Sequence, residues 1–181
     1  MRSLASSALV LAAACASSST PSPNTRANEN IRISTNTGAV ATMRMAPSVT
    51  TSTLILPVAL DRIWSVIPDA YDSVGIAISD LDPRRHVVGN SGFTARRRLG
   101  KVALSRYLDC GNSQLGPSAD EYQINMSVMS SVQPRQGDTT VVTTNVDATG
   151  TGLQFAGQSV RCTSRGELEK RIHDLVTQLS R

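Results

Sequence analysis

The last twenty residues of the chain carry the pattern that most restricts its fold. Leu168, Ile172, Val176 and Leu179 recur at intervals of three or four residues, with Leu175 beside them, as on one face of an α-helix. Because an amphipathic helix is stable mainly when its apolar face is buried, it must lie against another element. The segment before it, 153–162, is expected to be a strand that supplies part of that surface.

Polar residues indicate where this helix starts and which of its faces is exposed to solvent. Ser164 and Glu167 have the spacing of a capping box, in which each side chain accepts a hydrogen bond from an amide of the first turn. His173 is expected to be a solvated helix residue. The remaining solvated face is predicted to consist of Glu167, Glu169, Lys170, Arg171, Asp174 and Gln178.

A second helix is predicted over about 59–74. Gly75 stands where a left-handed C-cap glycine belongs. Pro68 lies inside the helix, where it removes one amide hydrogen bond, so we expect a kink or a new start there. The apolar stripe consists of Leu60, Ile63, Trp64, Ile67, Tyr71 and Val74.

Alternating apolar and polar residues predict the strands. The alternation is clearest over 122–128 and 142–148, whereas 96–110 fits neither the strand nor the helix period. A content of 40% hydrophobic but only 3% aromatic residues favours strands packed with aliphatic side chains. We therefore predict an α+β fold, an antiparallel sheet with two main helices (about 59–74 and 165–180) packed on one face.

The first residues read as an export signal. Met1 and Arg2 precede an apolar run over 4–14, which is shorter than the roughly 20 residues that span a bilayer. Leu11-Ala12-Ala13-Ala14-Cys15 resembles the lipobox of bacterial lipoproteins, with Ala12 where the family prefers leucine. The resemblance implies cleavage after residue 14, acylation of Cys15 with chains such as palmitate, and anchoring at the periplasmic face of the outer membrane, since Ala16 follows. An ordinary secretory signal, cleaved after Ala12-Ala13-Ala14, is the alternative.

The domain boundaries follow from composition. Residues 1–14 are the predicted signal peptide, and the Ser-, Thr- and Pro-rich residues 15–30 are a predicted disordered tether, because they offer little apolar surface to bury. Residues 31–181 form one α+β domain, of which 31–48 is a possible loose hairpin extension.

The body resembles the helix-grip domains of BamC-type outer-membrane lipoproteins. The resemblance covers the element order over 56–93, with Trp64 in mid-helix, Gly75 after the helix and Asp82 at the end of the next strand. It implies an accessory protein that binds an envelope complex rather than an enzyme.

Two cysteines remain after Cys15. In an oxidising compartment we expect Cys110 and Cys162 to form a disulfide, with a Cα separation within the usual 4.4–6.8 Å; buried free thiols are the alternative. No metal or other cofactor is expected, because the chain has only two histidines and no C-x-x-C motif.

Basic residues are concentrated between Arg84 and Arg106, with no acidic residue among the cations. This stretch is either a solvated hairpin rim or a face for an anionic partner, such as headgroups, lipopolysaccharide phosphates or an acidic protein. Nucleic acid is not expected as a partner of an exported chain. The possible patch comprises Arg84, Arg85, Arg96, Arg97, Arg98, Lys101 and Arg106.

Catalytic patterns fail on inspection. Gly89-Asn90-Ser91-Gly92 misses the nucleophile-elbow spacing by one residue, and Asp80 and Asp82 are better suited to starting a turn than to acid–base chemistry. We therefore expect no enzyme, but a lipid-anchored protein that binds another envelope component. The alternative is a carrier of small hydrophobic ligands, with a helix-grip cavity lined by Trp64, Tyr71, Ile124 and Met126.

Overall fold

The structure of the chain is a computed structural model that describes residues 29–34, 40–45, 50–152 and 159–181. Two compact units are present, Met1–Pro47 and Ser48–Arg181. The signal peptide, Cys15 and the tether up to residue 28 lie outside the described residues.

In the first unit, β1 (Glu29–Ser34) pairs antiparallel with β2 (Val40–Met45), so that Ile31 lies opposite Met43. This strand pair lies largely within the segment 31–48, for which a loose hairpin was predicted. Its first strand begins two residues earlier, within the segment assigned to the tether.

A mostly antiparallel sheet dominates the second unit. The strands of this unit are β3 (Thr50–Leu56), β4 (Asp80–Asp82), β5 (Val87–Arg96), β6 (Arg98–Leu99), β7 (Val102–Ala103), β8 (Leu108–Asp109), β9 (Asn112–Ser113), β10 (Gly116–Pro117), β11 (Gln123–Arg135), β12 (Thr139–Thr151) and β13 (Ser159–Ser164). In the sheet they follow the order β7-β6-β5-β11-β12-β13-β8, with β3 paired to β12 and β4 paired to β5. A separate two-stranded pair is formed by β9 and β10.

The central hairpin of β11 and β12 follows from the alternating sequence. Along both strands, buried residues alternate with more accessible ones, and Val128 lies opposite Val146 on the buried side. Gln136, Gly137 and Asp138 form the connecting turn, where Gly137 has a φ of 67°. The buried side chains of this hairpin are aliphatic apart from a few hydroxyls, as the low aromatic content predicts.

Four helices accompany the sheet in the described part of the chain: α1 (Leu60–Val74), α2 (Leu104–Tyr107), α3 (Ser118–Glu121) and α4 (Glu167–Leu179). The predicted α+β class is confirmed as a mixed, sheet-dominated fold. Helices α1 and α4 match the two predicted helices closely and contact each other. Helix α1 ends at Gly75 with a φ of 81°, as predicted, but it runs through Pro68 without a new start.

The start of α4 differs from the prediction. Gly166, with a φ of 80°, is its N-cap residue, so Glu167 is the first helical residue and not the third, as a capping box requires. The Ser164 hydroxyl instead donates to Glu169 Oε1 (2.7 Å) and accepts from the Gly166 amide (3.1 Å). The capping-box prediction is therefore wrong, because the left-handed glycine delays the helix.

The predicted disulfide between Cys110 and Cys162 is confirmed. Its Cα separation is 4.2 Å, just below the expected range. The bond connects Cys110, which follows β8, with Cys162 in β13. Strands β8 and β13 are themselves paired, with Asp109 opposite Thr163. The irregular segment 96–119 is thereby attached to the strand that leads into α4.

Candidate functional site

The predicted basic stretch is divided by β5 into separate groups. Arg84 and Arg85 lie in the turn before β5, while Arg96 is its last residue. At about 3.3 Å per residue, the length of β5 separates the two ends by roughly 30 Å. A single patch that includes both ends is therefore not formed.

The group before β5 is a turn held by Asp82. One carboxylate oxygen of Asp82 accepts from the Arg84 and Arg85 amides (3.0 and 3.1 Å), and the other accepts from Arg85 Nε (2.7 Å). These bonds keep the pKa of the Asp82 carboxyl below its usual value, the Arg85 side chain contributing most. The expected turn role of Asp82 matches these contacts.

The group after β5 forms what we call the basic hairpin, which is Arg96, Arg97, Arg98 and Lys101. All four residues are exposed. The chain reverses at Arg97, so that Arg96 and Arg98 are paired, and a second reversal at Gly100 and Lys101 connects β6 to β7. In the described part of the chain, none of the four is within 4 Å of a carboxylate oxygen.

The last cation of the stretch, Arg106, lies in α2 and lines a different feature. An open cleft of about 440 Å³ separates α2 and the end of β7 from the outer face of α4; we call it the α4 cleft. Its volume falls within the range of ligand sites, roughly 300–1,000 Å³. It is lined by Val102, Arg106, Tyr107, Glu167, Lys170, Arg171, Asp174, Leu175 and Gln178.

The charges of the α4 cleft are only partly matched. Lys170 Nζ donates to Asp174 Oδ2 at 2.6 Å, so these two charges offset each other. Arg106 and Arg171 have no ion-pair partner within 4 Å among the residues that the structure describes, and Glu167 is the one remaining carboxylate in the lining. Burial raises the pKa of the Tyr107 hydroxyl, while Arg171 acts in the opposite direction. The cleft thus presents two arginines and a phenol that remains protonated at neutral pH.

The residues predicted to line a ligand cavity lie in the core or pack against it. Tyr71 and Ile124 are fully buried, and Met126 is nearly so. Trp64 is partly buried, with its ring edge-on to His86 at a centroid distance of 5.3 Å. Among the described residues, none of the four lines the α4 cleft, and only Met126 lines a smaller cleft between β5 and β11.

The smaller cleft, of about 180 Å³, lies at an irregularity between β5 and β11. Phe93 pairs with Met126 and Asn90 with Val128, so Ser91 and Gly92 together oppose one residue, Ser127. Asp80 Oδ2 accepts from the Ser91 amide (2.8 Å), which stabilises this bulge. The glycine-rich stretch at 89–92 is thus part of a sheet bulge.

Two polar residues of α4 that were predicted to face solvent are buried. Glu169 is 0% exposed and His173 is 6% exposed. Both lie on the same stripe as Ile172 and Val176, three and four positions apart, which is the signal that could have identified them. His173 Nε2 is 3.0 Å from Thr144 Oγ1, at the end of a buried chain of hydroxyls that continues through Ser130 to Tyr71.

The described residues contain neither a cluster of metal ligands nor a membrane-spanning helix. No group of three or more histidine, cysteine, aspartate or glutamate side chains in the described ranges is placed to hold a metal ion. Likewise, no helix within those ranges is long and apolar enough to cross a membrane.

Comparison of the chain with known protein families and curated proteins identifies no relative. No protein-family model matches the chain, and no curated protein is significantly similar to it.

Proposed function

We propose that this chain is a lipid-anchored protein of the bacterial envelope that binds an acidic segment of another envelope component in the α4 cleft, without catalysing a reaction. The observation that carries the proposal is the pair of arginines, Arg106 and Arg171, that line the cleft without an ion-pair partner in the described part of the chain. Arginine binds carboxylates through two parallel N–H donors, so the pair suits an acidic peptide segment. Val102 and Leu175 add apolar contact area.

We further propose that α1 and α4 cover the same face of the central hairpin, as in a helix-grip domain. Ser130 and Thr144 are paired across β11 and β12, and their hydroxyls lie 2.7 Å apart. Tyr71 of α1 reaches the first hydroxyl and His173 of α4 reaches the second. This arrangement leaves the outer face of α4 available to line the cleft.

The location of the protein is proposed from the lipobox resemblance at Cys15, which implies a lipid anchor, and from Ala16 after it, which in such lipoproteins favours the periplasmic face of the outer membrane. The test is Cys15→Ser, followed by cell fractionation and a high-salt wash that removes electrostatically bound protein. We expect the variant to move to the soluble fraction while the unaltered chain stays with the membrane. A Cys15→Ser chain that resists the wash would rule out the lipid anchor.

The α4 cleft is tested by crosslinking in intact cells. A photoreactive residue placed at the exposed cleft position Gln178 should capture an acidic protein. Arg106→Glu with Arg171→Glu should abolish that product, since like charges repel, whereas Arg84→Glu at the far end of β5 should leave it intact. If the cleft reversal has no more effect than the Arg84 control, the cleft is not the binding site.

A further inference from the structure

We propose that the basic hairpin is a second membrane contact, which docks the domain onto anionic lipid headgroups. This inference rests on the proposed envelope location, because the domain would meet anionic headgroups there. It concerns cations that do not line the α4 cleft, and its test with vesicles does not require the lipid anchor.

The first argument is the concentration of unmatched positive charge. Four cations occur within residues 96–101, all of them exposed. Three arginines elsewhere in the described domain have carboxylate partners: Arg85 has Asp82, Arg161 has Asp147, and Arg165 has Asp109 at 3.1 Å. Arg96 and Arg98 are instead paired with each other across the reversal, and like charges at such a distance repel. A surface of negative charges would relieve this repulsion.

The backbone at Arg97 is the second argument. Its φ of 63° lies in the left-handed region, which residues other than glycine and asparagine rarely adopt. A glycine would adopt this conformation more easily and would make the same turn. Strained backbone of this kind is concentrated at functional positions, so the cation at Arg97 is what we expect a ligand to require.

The character of the surface favours headgroups over a protein partner. Protein interfaces depend on buried apolar or aromatic anchors. Here the apolar residues of the segment are unavailable, because Leu99 is 5% exposed and Val102 is partly buried and lines the α4 cleft. The hairpin offers cations that project from a tight turn, and each cation near an anionic surface adds to the attraction independently. Segment 16–49 joins the proposed anchor to β3, so the two membrane contacts would act together.

The test uses residues 15–181 with Cys15→Ser, so that no lipid is attached. Sedimentation with vesicles of phosphatidylcholine alone and of phosphatidylcholine with phosphatidylglycerol measures the apparent affinity at low and high salt. We expect binding only to the anionic vesicles, and its loss at high salt. Replacing Arg96, Arg97 and Arg98 by Gln should weaken it by roughly fivefold per arginine, or about a hundredfold together. Thermal melting checks that the variants remain folded.

The matched control is Arg84→Gln with Arg85→Gln, which removes exposed cations from the opposite end of β5. An equal loss per substituted arginine in the control and in the hairpin variant would overturn the proposal, because only net charge would then matter. Equal binding to neutral and anionic vesicles would also overturn it. So would a hairpin variant that binds vesicles normally but loses a crosslinked protein in intact membranes, since the hairpin would then recognise protein. A failed fractionation test of Cys15→Ser overturns the anchor alone.

Discussion

At the scale of single residues, Glu169 is a carboxyl that the described core buries completely. Its side chain is fully buried, Oε1 accepts a hydrogen bond from Ser164, and Oε2 has no hydrogen-bond partner among the residues that the structure describes. Burial raises the pKa of the carboxyl, because the charged form loses its water, and the Ser164 bond only partly opposes this. The side chain therefore penalises the folded state whenever it is ionised.

The sign of the pH effect follows from linkage. A carboxyl whose pKa is raised on folding binds its proton more tightly in the folded chain, so stability falls as pH rises from the ordinary value of 4.5 through the raised pKa. Glu169→Gln should remove this decline and stabilise the protein at pH 7 by about 1 kcal/mol, with little effect at pH 4. Urea unfolding at several pH values measures it.

Glu167→Gln is the control for this prediction, since Glu167 is exposed and lies half a turn away. It should leave the shape of the pH profile unchanged and cost no more than about 1 kcal/mol, through its position at the helix N-terminus. If Glu169→Gln destabilises the protein at pH 7, the carboxylate has a favourable role that the burial argument misses.

At the scale of elements, a buried chain of hydrogen bonds connects two helices through the sheet. The Tyr71 hydroxyl lies 2.8 Å from Ser130 Oγ, Ser130 Oγ lies 2.7 Å from Thr144 Oγ1, and Thr144 Oγ1 lies 3.0 Å from His173 Nε2. Burial raises the pKa of Tyr71 and lowers that of His173, so both groups are neutral at pH 7. Neutral partners can share these bonds without burying a charge.

Removing the Thr144 hydroxyl from this chain of hydrogen bonds should destabilise the protein. Thr144→Val keeps the shape of the side chain but leaves Ser130 and His173 each without one partner, which we expect to destabilise the protein by about 1–3 kcal/mol. Thr143→Val, on the other face of the same strand, should change stability by less than about 0.5 kcal/mol. Denaturant unfolding of the two variants compares them. Equal effects would mean that the hydroxyl chain contributes nothing specific.

The elements also show what the sequence could and could not predict. Helices α1 and α4 and the hairpin β11–β12 were predictable, because each has a long run of one period that its packing preserves. The short elements between Arg98 and Glu121 were not, because two to four residues cannot display a period. Their positions depend on tertiary contacts such as the bonds from Ser105 to Asp120. The division of the basic stretch depends on β5 extending to Arg96, which places the arginines at its two ends.

At the scale of the whole molecule, the disulfide joins two distant parts of the described chain between residues 48 and 181. It links residues 52 positions apart, and the central hairpin lies inside the loop that it closes. Both cysteines are buried, at 9% and 1% exposure, so the bond is part of the core. Cys162 lies four residues before Gly166, the N-cap of α4. The bond therefore holds together the strand that positions α4 and the segment that carries α2.

Loss of this bond should destabilise the domain as a unit. Closing a loop of this size stabilises a fold by roughly 4 kcal/mol in the chain-entropy model, which corresponds to a fall on the order of 10 °C in Tm on reduction. Thermal unfolding followed by circular dichroism, with and without a reductant, measures the change. Cys110→Ser with Cys162→Ser should melt near the reduced protein and should not respond to reductant. Because the loop encloses β11 and β12, sheet and helix signals should be lost together; loss of α4 alone at lower temperature would mean that the bond secures only the helix.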